Sequence, residues 1–321
     1  MTVEKQIDVS VIVPVYNHER YVAKALDSIL AQRTHYTYEI LIGEDCSTDG
    51  SRAIVEEYAK AHPEIIKAFC REKNMGATRN GYDLYMKTQG RYIALLEGDD
   101  YWCHEEKLDR QISFLDSHSG YIGVAHNFQE IDANDASIIG KCIKDEDTDR
   151  DFTWKDFLRK QFLFQSATLM YHNFFLDGGD YSIIYKSHDL VGDLTVLTIL
   201  LQRGNIYILP EVMSAYRSIV DSGADNACSI GYRDLALAAL KNVRQFDMLR
   251  SYLKEKNDFN FWIIEQKAGY LIRMLQHKQG YTWKRWKKMA SYGDRETNRK
   301  ALLLVARMAK NKLLKRDNLY E

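Results

Sequence analysis

Glu97, Asp99 and Asp100 place three carboxylates within four residues at the end of the apolar run in "RYIALLEGDDYW". Carboxylates packed this closely repel one another and resist burial unless water, a cation or a ligand screens them. A short acidic motif of this kind supplies hard oxygen ligands for Mg2+ or Mn2+ and leaves coordination positions open for phosphate. It also suits a strand-to-helix turn in which an aspartate caps the next helix. Asp45, in "YEILIGEDCSTDGS", follows a second apolar run, and a carboxylate so placed can accept a hydrogen bond from a nucleobase N–H. Ser47, Thr48 and Asp49 are cap candidates for the helix that comes next. In "NMGATRNG", Gly76 lets the backbone approach a ligand, and Arg79 either offers a planar donor fork to phosphate or lies on a helix surface.

The elements that must position these groups alternate along the first hundred residues. "VSVIVPVY" (9–16), "YEILIG" (38–43), "IIKAFC" (65–70) and "RYIALLE" (91–97) read as strands, and the first is too rich in valine for an exposed one. Helical spacing recurs over 18–32, 47–62 and 76–88. This order predicts an α/β fold with a mostly parallel central sheet and helices on both faces. Ligands of open sheets bind beyond the carboxyl ends of the strands, where Asn17, Asp45 and the carboxylates of 97–100 fall. Past residue 105 the pattern is less regular: a helix over 105–117, the alternating "YIGVAHNFQEID", a strand over 165–172, an apolar helix over 193–204 and the strand-like "IYIL". From about residue 226 the composition is helical, which divides the chain into an α/β domain, 1–220, and a helical region, 221–321.

The bulk numbers narrow the function. Of 321 residues, 45% are hydrophobic and 28% charged, the profile of a globular protein with a real core. A net charge of −1 gives no electrostatic case for nucleic acid. Five scattered cysteines without a C-x-x-C pair argue against a disulfide framework or a structural zinc site and fit a reducing cytoplasm. "MTVEKQIDVS" lacks an apolar signal core, and no run of ~18 apolar residues is present to span a bilayer. An intracellular protein that can lie on a membrane without crossing it is therefore expected. Between Lys284 and Arg316 there are twelve basic residues against two acidic ones, with Trp283, Trp286, Met289, Leu302, Leu303 and Val305 at helical spacing among them. Such helices present a solvated basic face over an ordinary core, rest on the inner face of an anionic membrane, or pack on a partner chain.

Taken in order, "VIVPVYN", "LDSILAQ", "YEILIGEDCSTDGS", "NMGATRNG" and "GRYIALLEGDD" resemble the family-two inverting, nucleotide-sugar-dependent glycosyltransferases with the A-type fold. The resemblance is strong over residues 8–110 and looser to about 220. It implies that Pro14, Val15, Tyr16 and Asn17 line the nucleotide pocket, that Asp45 reads the base, commonly uracil, and that Arg79 is the pocket's basic residue. It implies that Asp99 contacts the ribose and that Asp100, with Asp99, holds Mn2+ or Mg2+ on the diphosphate. Asp193, opening "DLTVLTILLQRG", stands at the position of the catalytic base. Glu97, Trp102, Ser166, Ala167 and Gly192 are assigned to the acceptor or donor-sugar side.

The resemblance also has departures. The family's frequent Asp-Asp-Gly-Ser is Glu44-Asp45-Cys46-Ser47 here, the acid before the base is replaced by Gly192, and Ile219 stands where relatives often carry histidine. "TWKRW" (282–286) is similar to the Gln-x-x-Arg-Trp signature of processive synthases, but Thr282 replaces the glutamine. The implied activity is metal-dependent transfer of a hexose or N-acetylhexosamine from a UDP-sugar to a hydroxyl of a bacterial surface glycan or glycoprotein acceptor. The helical region would then contact a second copy, another glycosyltransferase or the membrane face. Two further readings stay open. A nucleotidyltransferase would carry a glycine-rich basic loop where "VPVYNHERY" has no glycine, and a catalytically silent transferase-like scaffold has no need of intact acids at 45, 99, 100 and 193. Dinucleotide and phosphate-loop fingerprints are absent.

Overall fold

The structure, a computed structural model, describes residues 6–160, 162–218, 234–253, 257–276 and 282–317; Ile219 lies outside them. The amino-terminal elements alternate as the apolar runs dictate: β1 (Val9–Val15), α1 (Val22–Leu30), β2 (Tyr38–Glu44), α2 (Ser51–Ala61), β3 (Ile66–Cys70), α3 (Ala77–Tyr85) and β4 (Tyr92–Leu95). The next elements are β5 (Tyr101–Trp102), α4 (Lys107–Ser117), β6 (Tyr121–Ile131), β7 (Ser137–Ile139), β8 (Arg150–Phe152), α5 (Trp154–Lys160), β9 (Met170–His172), α6 (Ile183–Ser187), α7 (Asp193–Leu200) and β10 (Asn205–Arg217).

One sheet takes the order β3-β2-β1-β4-β9-β6-β10-β5, with β7 on β6 and β8 on β10. The long strands pair in parallel, β1 with β2 and β4, β2 with β3, and β6 with β10. Short antiparallel strands fill the joints, β9 between β4 and β6 and β5 on β10. Right-handed crossovers from β1 to β2 to β3 set α1 and α2 on one face, and the return crossover to β4 sets α3 on the other. Because β4 joins β1 on the side away from β2, the strand order reverses at β1 and opens a crevice at the carboxyl ends of β1, β2 and β4. β1 is buried on both faces, and Val22, Ala25, Leu26 and Ile29 turn one face of α1 into the same core.

Two stretches differ from the sequence expectation. "QSATLMYH" is not one strand: Ser166–Thr168 forms a 3-10 turn and only Met170–His172 pairs. β10 is three times the length of "IYIL", because irregularities at Leu209/Val212 and Val212/Ser214 carry its pairing with β6 past Pro210 to Arg217.

Contacts divide the chain into two compact units, residues 1–185 with 189–229, and residues 186–188 with 230–321. In the second, α8 (Leu235–Tyr252), α9 (Asn257–Gln276), α10 (Trp283–Ser291) and α11 (Arg295–Asp317) enclose their own core of Ala236, Ala239, Leu240, Val243, Ala268, Leu271, Met289 and Val305. Thr282 accepts from the Arg285 N–H at 3.2 Å, so the start of "TWKRW" is a helix cap. Among the described residues no helix is long and apolar enough to cross a membrane.

Candidate active site

The backbone of β1 holds both halves of the crevice. The Pro14 carbonyl accepts from the Gly98 N–H at 3.2 Å, and the Val15 carbonyl accepts from the Asp45 N–H at 2.9 Å. A side chain at Gly98 would meet His18 Nδ1 at 2.7 Å and Val15 at 3.1 Å, so the acidic loop lies flat against β1 only because residue 98 has no Cβ. Val15 is 1% exposed, with its side chain against Gly98, whereas Pro14 and Tyr16 are half-buried.

On the acidic loop the three carboxylates have separate partners. Glu97 accepts from the Ser166 hydroxyl at 2.9 Å, and burial, then the charge of Asp99, pushes its carboxyl up to about 7. Asp100 accepts from the Arg217 N–H at 2.7 Å. Burial raises its carboxyl well above the usual range, Asp99 and Glu97 add to this, and Arg217 opposes it. Asp99 has an oxygen 3.8 Å from His18 Nε2.

Arg217 organises this loop. Its guanidinium donates to the carbonyls of Asp99 and Asp132, both at 2.8 Å, and to the Asp135 carboxylate at 2.6 Å, and it lies 4.2 Å over the Tyr21 ring. The arginine is 2% exposed, and sequence reasoning gave it no role. The sequence offered no signal for it, because the strand that ends at Arg217 was legible only over "IYIL".

At the end of β2, Asp45 is 2% exposed and accepts two backbone N–H groups, from Met75 at 2.7 Å and from Gly76 at 2.9 Å. Burial raises its carboxyl, while these two bonds and the charge of Arg71 pull it down. Each carboxylate oxygen keeps a lone pair for a further donor. Arg79, assigned to the nucleotide pocket, is exposed on α3 with its guanidinium 4.2 Å over the Tyr185 ring. The cation acting on Asp45 is Arg71, which follows β3 and donates to Asn80 at 3.2 Å. Asn17, left-handed at φ 57°, spends its side chain as an acceptor for the Thr48 N–H at 2.8 Å and so clasps the loop after β2.

Asp193 opens α7 and accepts from the Leu194 N–H at 2.8 Å. Protein around it raises its carboxyl, although the residue as a whole is exposed. Its charge acts on Glu97, as does that of Asp99, and Glu97 in turn accepts from Ser166. Gly192 packs on Thr78 of α3, whose Cγ2 lies 3.4 Å from where a Cβ would stand. Two residues assigned to the sugar side belong to the core instead. Ala167 is 1% exposed, and Trp102 is 3% exposed with the buried Lys107 ammonium 4.0 Å over its ring. Trp102 is drawn inward because β5 pairs with β10 and the indole joins the main hydrophobic cluster.

Among the described residues no three His, Cys, Asp or Glu side chains converge into a metal cage. Glu97 and Asp100, held above the usual carboxylate range by burial and by their acidic neighbours, belong to a crowded oxygen donor set that a hard divalent ion would relieve. Asp99 and Asp100 fit such an ion when a ligand's phosphate oxygens complete its shell.

The glycosyl transferase family 2 model matches residues 10–183, just over half of the chain. An uncharacterized protein of Mycobacterium tuberculosis is 42% identical over 103 residues, which are 32% of this chain and 30% of that protein. The putative teichuronic acid biosynthesis glycosyltransferase TuaG of Bacillus subtilis is 39% identical over 107 residues, 33% of this chain and 41% of TuaG. The chain thus spans less than half the length of either relative. In fold, the chain is similar to S. aureus TarS 1-349 in complex with UDP (TM-score 0.54, 19% identity, 83% of this chain and 80% of that one). It is also similar to the mannosyltransferase PcManGT from Pyrobaculum calidifontis in complex with GDP-Man and Mn2+ (TM-score 0.51, 15% identity, 99% and 84%).

Proposed function

The chain belongs to glycosyl transferase family 2, and from that membership we propose that it moves a hexose or N-acetylhexosamine from a UDP-sugar to a glycan hydroxyl, inverting the anomeric carbon. The carrying observation is the shared neighbourhood of the acidic loop and Asp193, which are nearly a hundred residues apart in sequence. One group of acids suits the leaving diphosphate and the other suits an incoming hydroxyl.

In this reading Asp45 accepts an N–H of the base with the lone pairs that Met75 and Gly76 leave free, beside the half-buried Pro14 and Tyr16. Asp99 faces the ribose, and Asp99 and Asp100 would hold Mn2+ or Mg2+, which when bound neutralises charge developing on the leaving diphosphate. Asp193, an exposed residue at the start of α7, takes the proton of the acceptor hydroxyl. The new bond forms from that oxygen to the anomeric carbon as the bond to phosphate breaks on the opposite side, and the nucleoside diphosphate departs. Ser166 and Glu97 border the donor sugar. The acceptor belongs to a bacterial surface glycan or glycoprotein glycan, in keeping with relatives such as the E. coli protein WfgD, described as a UDP-Glc:alpha-D-GlcNAc-diphosphoundecaprenol beta-1,3-glucosyltransferase (33% identical over 42% of this chain and 50% of WfgD). The four described cysteines are free, which suits a cytoplasmic site of reaction.

The test is a screen of UDP- and GDP-sugars with Mn2+, Mg2+ or chelator, read by nucleotide release and by thermal shift. UDP-sugar turnover that a chelator abolishes supports the reading. A preference for GDP-mannose overturns the donor assignment, and donor binding without turnover in the presence of acceptor glycans favours a silent scaffold.

A further inference from the structure

The basic helices of the second unit take no part in the proposed chemistry, and their outward faces share a composition. On α10, Trp283, Lys284, Lys287, Lys288 and Ser291 are all exposed, at the spacing of one helix face, while Met289 points into the core. Trp283 is 63% exposed. Its ring stacks on Trp286 with centroids 4.9 Å apart, and the Lys287 ammonium lies 5.4 Å from its centroid. On α11, Arg299, Leu302, Leu303 and Ala306 follow the i, i+3, i+4, i+7 spacing of one face, and all are exposed, with Lys300 and Arg307 at its margins. Val305 is buried in the same core as Met289, so both helices turn these residues away from their own unit.

Each face therefore sets a large apolar group among cations. Nearby acids are already engaged: Asp294 pairs with Arg250, Glu296 with Lys300 at 2.6 Å, and Asp234 with Arg285 at 2.7 Å. The exposed lysines Lys284, Lys287 and Lys288 have no acidic partner among the described residues. A protein partner's core would exclude such lysines, whereas a headgroup layer accepts both a tryptophan ring and lysine ammonium groups. From these faces we infer that α10 and α11 dock the protein on an anionic lipid surface, with Trp283, Leu302 and Leu303 entering the headgroup boundary and the lysines meeting lipid phosphates. The inference rests on the helical unit alone and stands or falls separately from the transfer reaction.

Co-sedimentation of the full chain with phosphatidylcholine vesicles, with and without a third of phosphatidylglycerol, tests it. Binding is expected to the anionic vesicles only and to weaken as salt rises. Removing the charge at Lys284, Lys287 and Lys288 together, each to Gln, should weaken it roughly 100-fold, since each lysine near the surface contributes about fivefold. Trp283→Ala should weaken it several-fold with unchanged helical circular dichroism, and a control carrying Gln at the exposed Lys60, Lys144 and Lys155 should bind like wild type. Equal binding by the triple variant and wild type overturns the inference. So does a self-association, seen by light scattering, that Trp283→Ala abolishes while vesicle binding is absent, because the face would then serve a second copy.

Discussion

Between pH 5 and 8 the Glu97 carboxyl changes charge inside the folded protein. Burial and Asp99 raise it from 4.5 to about 7, so the folded state holds a proton there that the unfolded chain has released. The stability this contributes is fully present below pH 4.5 and is lost as pH rises through 7. Glu97→Gln keeps an acceptor for the Ser166 hydroxyl and removes the titration. Its melting temperature should exceed that of wild type at pH 8 and approach it at pH 5; an offset independent of pH would refute the assignment. Asp193 is raised by the same kind of enclosure, although the residue as a whole is exposed at the start of α7. Asp193→Asn should cut turnover by ~10²–10⁴-fold with donor affinity retained. Full turnover in a steady-state assay would remove Asp193 from the base position. Both acids were visible in the sequence, but their environments were not, because desolvation depends on what packs around a group.

Elements fix how well these groups are aimed. The end of β10 reaches the acidic loop through Arg217, which holds the Asp99 carbonyl and the Asp100 carboxylate by side chain and backbone. Arg217→Lys keeps the charge and loses the planar fork, so under the proposed metal role of Asp99 and Asp100 half-saturation by Mn2+ in the transfer assay should rise roughly 10–100-fold. An unchanged Mn2+ requirement would make Arg217 a purely structural residue. Between β2 and α3, a Cβ at Gly43 would stand 2.5 Å from Asn80 Oδ1, and Asn80 itself donates to the Gly43 carbonyl at 2.7 Å. Gly43→Ala should therefore destabilise the protein by about 1–3 kcal/mol in urea unfolding. Cys46 illustrates a signal only partly legible in sequence. It adopts φ 60° where the resemblance leads one to expect glycine, and the left-handed turn explains why glycine is frequent there.

Among the described residues each unit has a hydrophobic core of its own. Heat unfolding is expected to depart from a single two-state transition. UDP with Mn2+ at a hundred times its Kd, worth about 2.7 kcal/mol, should shift only the transition of the α/β unit. A single calorimetric peak that moves as a whole on adding nucleotide would show the two cores unfolding together.

At this scale the division between sequence and structure is clear. The sequence by itself determined the alternation of strands and helices and set Asp45, Glu97, Asp99 and Asp100 at the carboxyl ends of apolar runs, while the strand order that opens a crevice there is tertiary. The alternation and these placements follow from side-chain period and strand ends, which are local properties. Only the tertiary structure decided that Arg71 acts on Asp45, that Trp102 and Ala167 lie in the core, and that Arg217 clamps the acidic loop. It alone set Asp193 within electrostatic reach of Glu97. Burial and Coulomb interactions are sums over whatever lies nearby in space, and for these residues the neighbours come from parts of the chain that no local pattern connects.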